Sequence, residues 1–438
     1  MMKLLKSVFF ISALSVAVSA QLDTNSEHYY MYSYFINLQQ DAGARLAFST
    51  DGITWHRYNN GDPVIVPIIA ENEKPLMRDP NVYYDSATGV FHMVWTTAWK
   101  QDNIGYSSSK DLINWTEQVM LPVGRVIKGC ACCWAPEFYY DDTRDSIMVF
   151  WSTERGTIGK EAFCCYTKDF KHYSAPRIYF HPRKNGSGDS TNTYTVIDET
   201  IVKLAENKYC LVFKDEREPG IAGKRSLNIH YIIGSTPSGP WQYAGVGSWD
   251  DVSSPITKNA CEGPTTLLMG NELRVYFDPY GEGPSSTYRM VSINLSDFDY
   301  MNDPYNTPSP WTQGAVLKNE TGADFSLSHG SIIEIPKAKA LQIMNGIADN
   351  GTYQPWTTIT QNDITVDTIF VPEPDYPYGK QNCGCGTGVG LALFPPIAVR
   401  AFVSRRRKKR KNRFLENRNT IDFFLYHFLY YLCSATSI

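Results

Sequence analysis

Runs of alternating aromatic and β-branched residues recur along the chain at 29–35 (YYMYSYF), 91–97 (FHMVWTT), 147–153 (IMVFWST), 209–215 (YCLVFKD) and 273–279 (LRVYFDP). Alternation of this kind predicts β-strands. Successive copies begin roughly 60 residues apart, enough for a four-stranded unit with its turns. A second marker follows each run: a strand that ends in a polar turn and an aromatic. Its copies are STDGITW (49–55), SKDLINW (109–115), TKDFKHY (167–173), STPSGPW (235–241) and LSDFDY (295–300). A β-sandwich need not repeat the same turn at the same phase. Two markers in phase five times therefore predict five radial sheets, an all-β five-bladed β-propeller over residues 21–345.

A third marker precedes the strong strands as a polar residue leading into an apolar stretch: MRDPNVYYD (77–85), WAPEFYYDD (134–142), VIDETIVKL (196–204), CEGPTTLLM (261–269) and SHGSIIEIP (328–336). The last copy has no complete unit after it, and the first strong strand has no such copy before it. Pairing of 331–335 with the N-terminal strands would close the ring and remove exposed sheet edges.

Innermost propeller strands run one way along a central axis, so their N-terminal ends meet at one mouth. By spacing, Asp79, Glu137, Asp198, Glu262 and His329 take equivalent positions in successive blades, 58, 61, 64 and 67 residues apart. Four carboxyls and an imidazole gathered there would repel and desolvate one another, which separates acid from base. One such residue could simply start a strand. Five in phase point to a site.

Composition narrows the surroundings. With 41 basic and 45 acidic residues in 438, nothing global points to nucleic acid as a partner. Aromatics at 13% suit a large β core and a protein that stacks sugar rings. Lys3 and Lys6, the apolar stretch 7–17 and Val18-Ser19-Ala20 read as a signal peptide over 1–20, which predicts a secreted or extracellular protein. The ten cysteines fit an oxidising compartment, with Cys130, Cys132 and Cys133 clustered and Cys164 beside Cys165. Some disulfides are expected, with connectivity open, and the spacing does not match zinc ligands. Residues 346–381 read as a polar linker or stalk. The uncharged run 383–399 and the basic run 405–411 read, within 382–413, as a short membrane anchor with its basic end in the cytoplasm. The aromatic-rich segment 414–438 has no assigned role.

The segments RDP (78–80), CWAPE (133–137), VIDET (196–200), FKDER (213–217), EGP (262–264) and SHGSI (328–332) together resemble glycoside hydrolase family 43. The resemblance spans roughly residues 28 to 336. It implies a plant-polysaccharide glycosidase, foremost an inverting α-L-arabinofuranosidase or β-xylosidase acting on an oligo- or polysaccharide. It makes Asp79 the general base, Glu262 the general acid and Asp198 the group that sets the acid's pKa and orientation. Inverting hydrolysis needs that division: one protonated carboxyl beside the leaving oxygen, and one carboxylate across the ring to activate water. Trp99 and Trp134 are candidate sugar platforms, Lys214 and Arg217 candidate hydroxyl donors, and Glu137 a candidate substrate contact. His329 resembles a channel histidine that lies near a calcium ion or its waters, so a structural calcium is the one cofactor considered, and none is required for the reaction. Two other readings stand beside this one. The first is a retaining fructan or sucrose hydrolase of the invertase type, which would need an Asn-Asp-Pro motif in the first blade. The second is a non-catalytic carbohydrate-binding propeller, which would lack one of the three acids.

Overall fold

In a computed structural model the described residues are 22–71, 73–155, 159–180, 195–216, 227–242, 254–257, 260–280, 288–298, 311–312 and 315–368. Each repeat forms one antiparallel blade around a common axis. The first blade runs outward through Arg78–Asp85, Val90–Thr96, Ile104–Ser109 and Val119–Leu121. The second uses Trp134–Asp141, Ser146–Glu154, Lys160–Thr167 and Arg177–Phe180. Val196–Ala205, Lys208–Asp215, Ile229–Gly234 and Trp241–Gln242 make the third, and Glu262–Met269, Glu272–Asp278, Arg289–Asn294 and Ala315–Val316 the fourth. The closing blade takes its inner strand, Gly330–Ile335, from the end of the domain and its next three, Tyr29–Tyr34, Arg45–Ser49 and Thr54–Arg57, from the beginning. Tyr34 faces Gly330 and Tyr29 faces Ile335, so the expected closure is present.

The alternation in the strong strands has a direct use here. Every blade is flanked by two others, so odd and even side chains enter different cores. Tyr29 and Met31 pack with Phe91, Met93 and Trp95 between the closing and first blades, while Tyr30, Tyr32 and Tyr34 pack with Tyr276 and Tyr288 on the other side. Ile147, Val149 and Trp151 join the first blade, whereas Met148 and Phe150 join the third. Adjacent strand residues face opposite ways. Cys164 and Cys165 accordingly lie in different cores.

The polar turn also has a physical basis. In three blades a Ser or Thr accepts the next turn's N–H groups, and an Asp two residues on accepts two more. Ser49 and Asp51 do so for Asp51, Gly52, Ile53 and Thr54. Ser109 with Asp111 and Thr167 with Asp169 repeat the pattern. Such side-chain bonds stand in for the ladder at a tight reversal.

An inner strand has no strand on its axial side, and its amides there need other acceptors. Successive blades supply them. Ser331 Oγ accepts the Val82 N–H at 3.0 Å, Asn81 Oδ1 accepts the Phe138 N–H at 2.9 Å, and Thr265 Oγ1 accepts the Ile332 N–H at 3.2 Å. These bonds tie blade to blade around the channel.

Residues 346–368, part of the stretch expected as a linker or stalk, lie along the first two blades instead. Helix Lys337–Asn345 ends at Gly346, and the chain then docks through Trp356 and Ile359 into the core between those blades. Gln361 exchanges two hydrogen bonds with the backbone of Met120, and Thr365–Val366 pairs in parallel with His172–Tyr173. The polar composition of the stretch hid its apolar anchors, Trp356, Ile359, Ile364 and Val366. The expected signal peptide and anchor lie outside the described residues.

Asn81 is buried and serves a backbone amide, so Asn81→Ala should cost about 1–3 kcal/mol. Urea unfolding measures it, and an unchanged midpoint would mean that the Phe138 amide finds another acceptor.

Candidate active site

Four inner strands carry the same irregularity where they enter the channel. Arg78 pairs with Thr96 and Asn81 with Val94, so the inner strand holds one residue more than its partner. The same bulge separates Trp134 from Glu137, Ile197 from Thr200, and Glu262 from Thr265. Its first residue is left-handed each time: Asp79 (φ 52°), Ala135 (φ 47°), Asp198 (φ 58°) and Gly263 (φ 60°). For a residue with a Cβ this costs of order 1–3 kcal/mol and persists only where its surroundings enforce it. At Gly263 a Cβ would lie 2.6 Å from the Cβ of His329, so only glycine fits beside that imidazole.

This register corrects the equivalence drawn from spacing. Asp79 and Asp198 do share a position. Glu262 stands one residue before its bulge, level with Arg78 and Trp134, and Glu137 one residue after, level with Asn81, Thr200 and Thr265. Residue counts include loops of unequal length, so they could not resolve a shift of one or two positions. The shift sets depth. The Glu262 side chain is 36% exposed at the mouth, Asp79 is 9% exposed below it, and Glu137 is buried in the channel wall.

Asp79 is held on both oxygens. Thr96 Oγ1 donates to its Oδ2 at 2.8 Å while accepting the Ala135 N–H at 2.8 Å, and His329 Nδ1 stands 3.3 Å from its Oδ1. Burial pushes the Asp79 carboxyl up, but His329, Arg78 and Thr96 outweigh it and leave it below its ordinary range. Asp198 accepts the Gly263 N–H at 3.0 Å and lies 3.9 Å from His329. Burial raises it, with the charges of Asp79 and Glu262 pushing the same way. His329 is driven down by burial and up by Asp198 and Asp79, ending at about 9, so it is an imidazolium at neutral pH. Burial lifts Glu137 to about 8.

Glu262 Oε2 accepts from Lys214 Nζ at 3.0 Å. Lys214 is buried, and its ammonium engages this carboxyl. It also faces Glu216 at 3.5 Å, and Glu216 pairs with Lys160. The Lys160 ammonium sits 4.8 Å above the ring of Trp134. Trp134 donates its ring N–H to the Trp99 carbonyl at 3.0 Å and meets the Trp99 ring edge-on at 5.9 Å. Trp99 is 44% exposed, with the Arg78 guanidinium 4.4 Å over it, a cation–π contact. Acid groups and aromatic rings thus form one connected rim. Glu216, Lys160, Arg78 and Thr96 were not foreseen. Only Arg78, adjacent to Asp79, and Glu216, two residues after Lys214, left a sequence signal. Arg217 lies outside the described residues.

A family model described as "Probable glycosyl hydrolase domain", of the family-43-related type, matches residues 27–339. The chain belongs to this glycosyl hydrolase family. Among solved structures, this glycosidase is similar to an endo-1,4-β-xylanase from Bacteroides thetaiotaomicron at 12% identity, covering 69% of this chain and 96% of that one, with a TM-score of 0.46. An endo-arabinase from the same organism matches at 16% identity over 63% and 92%, with a TM-score of 0.45. An α-L-arabinofuranosidase from Lactobacillus brevis matches at 16% over 54% and 71%, with a TM-score of 0.39. A search of curated protein sequences gives no match.

The residues do not form a direct calcium cage. Calcium takes six to eight oxygen ligands. Among the described residues no group of three or more His, Cys, Asp and Glu side chains is arranged to hold a metal ion, and the channel oxygens of Asn81, Thr265 and Ser331 already accept backbone N–H groups.

Glu137 gives the glycosidase a pH signature. Its folded-state value of about 8 lies above the ordinary 4.5, so between these the folded protein keeps a proton that the unfolded chain releases. Stability should therefore fall as pH rises through that window, by at most about 1.4 kcal/mol per pH unit. His329 adds to the fall between 6.5 and about 9. Burial also raises Glu199, to about 7, so Glu137→Gln should reduce without abolishing the slope of urea midpoint against pH below neutrality. An identical slope in the variant would place the bound proton elsewhere.

Proposed function

We propose that this glycosidase is an inverting α-L-arabinofuranosidase or β-xylosidase, with Asp79 as base, Glu262 as acid and Asp198 setting the acid's surroundings. The observation that carries the reading is the clamp on Asp79. Thr96 and His329 fix the Asp79 carboxyl on both oxygens and hold it ionised, the state in which it can accept a proton from water. In the step, water oxygen bonds to the anomeric carbon and gives its proton to Asp79. The glycosidic C–O bond breaks, and the proton of Glu262 goes to the leaving oxygen. As Glu262 becomes a carboxylate, the Lys214 ammonium at 3.0 Å stabilises it, an interaction strongest where charge develops. Both carboxyls then exchange protons with solvent. The exposed part of Trp99 offers a sugar platform on the rim, and the motif resemblance supports a pentose-bearing plant glycan.

We also propose export through residues 1–20 and tethering through 382–413. No helix among the described residues is long and apolar enough to cross a membrane. Intact cells should hold the full-length protein, and release of uncut chain into the medium would exclude the tether.

Two measurements test the chemistry. Glu262→Gln should lose about 10²–10⁴-fold on substrates with poor leaving groups and much less on activated aryl glycosides, which need little protonation. Equal loss on both would indicate a binding role. NMR of the first-formed anomer from an arabinofuranoside or xyloside should show inversion. Retention would remove Asp79 as base and favour the invertase-type mechanism.

A further inference from the structure

The turn that delivers Trp134 to the rim carries three cysteines in four residues. Its backbone is pinned on both sides: the Cys130 N–H bonds Ile127 O at 3.2 Å and the Ala131 N–H bonds Glu154 O at 2.9 Å. The turn folds back so that Cys130 Sγ lies 3.8 Å from Cys133 Sγ. Both sulfurs press on Gly124, where an added Cβ would stand 2.7 Å from each. Nothing larger than glycine fits beneath the pair. Cys132, between them, is also buried, but it meets Cys130 only through its carbonyl, at 3.4 Å from the Cys130 sulfur.

We propose that Cys130 and Cys133 form a disulfide that closes the turn immediately before Trp134. The two thiols differ in a way that orders the chemistry. Cys130 is partly exposed and Cys133 is buried in the core between the first and second blades. A hydrogen bond from Cys133 holds the Cys130 thiol below its ordinary range, while burial pushes Cys133 well up. Thiolate character and access select the attacking sulfur. The Cys130 thiolate attacks a low-molecular-weight disulfide such as glutathione disulfide, forming a mixed disulfide and releasing one glutathione thiolate. Cys133, deprotonated, then attacks the Cys130 sulfur and releases the second. Two protein thiols are oxidised, one glutathione disulfide is reduced to two glutathiones, and the two protons end on them. A short rotation of either side chain brings the sulfurs together within a turn already built. The pair in the second blade cannot do this, since Cys164 and Cys165 face opposite cores.

The bond is read by mass, so the test stands apart from the hydrolytic reading. The full-length protein is equilibrated with excess glutathione disulfide, alkylated in denaturant without reduction, and mapped by peptide mass spectrometry. The wild type should lose two alkylatable thiols, mapped to Cys130–Cys133, and regain both on reduction. Cys133→Ser should leave one glutathionyl group on Cys130, because the attack proceeds but nothing resolves it. Cys130→Ser should leave Cys133 fully alkylatable. Persistence of both thiols in the wild type, a stable glutathionyl group on wild-type Cys130, or a bond from Cys130 to Cys132 would each overturn the proposal.

Discussion

Each inner strand of this propeller turns one edge toward the axial channel, and the amides on that edge have no neighbouring strand to bond. An unmade buried hydrogen bond costs about 1–3 kcal/mol, so five such edges would be prohibitive if left open. Ser331, Asn81 and Thr265 answer by accepting amides of the next blade round the ring. The same demand keeps side chains at this level polar. It also fixes the relative height of the blades, and so the height of everything placed one or two residues above.

The bulges stand directly on that belt. An extra residue in the left-handed region turns the side chains at Asp79 and Asp198 toward His329, and the bulge amides find partners across the blades. The Ala135 N–H reaches Thr96, which in turn holds Asp79, and the Gly263 N–H holds Asp198 directly. Strain at those two residues is thus offset by the bonds that the strained conformation permits. The imidazolium of His329 between two carboxyls then divides their behaviour: it lies closer to Asp79, which is lowered, than to Asp198, which burial and like charge raise.

Above the bulge, the mouth is organised by charge running laterally. Glu262, Lys214, Glu216 and Lys160 alternate in sign and end on the face of Trp134. Because Lys214 is buried and Glu216 is partly buried, breaking one member would strand its neighbour's charge in a poorly solvated place. The group that would donate a proton and the rings that would bind sugar therefore share one support.

Much of this was legible in the chain. Alternation at 29–35 and its four copies determined the strands, because side chains of a blade flanked on both sides face a core on either side of the sheet. The Ser-x-Asp turns at 49–51 and 109–111 were visible because four amides depend on those two side chains in each. The acids Asp79, Asp198 and Glu262 were visible as polar residues leading into apolar strands. Only tertiary structure decided their levels, since a bulge shifts register by one residue without changing composition. It also decided the partners of Asp79, because Thr96 and His329 come from 17 and 250 residues away. Docking of 346–368 was hidden for a like reason: a few apolar anchors in a polar stretch have meaning only against the groove that two blades make.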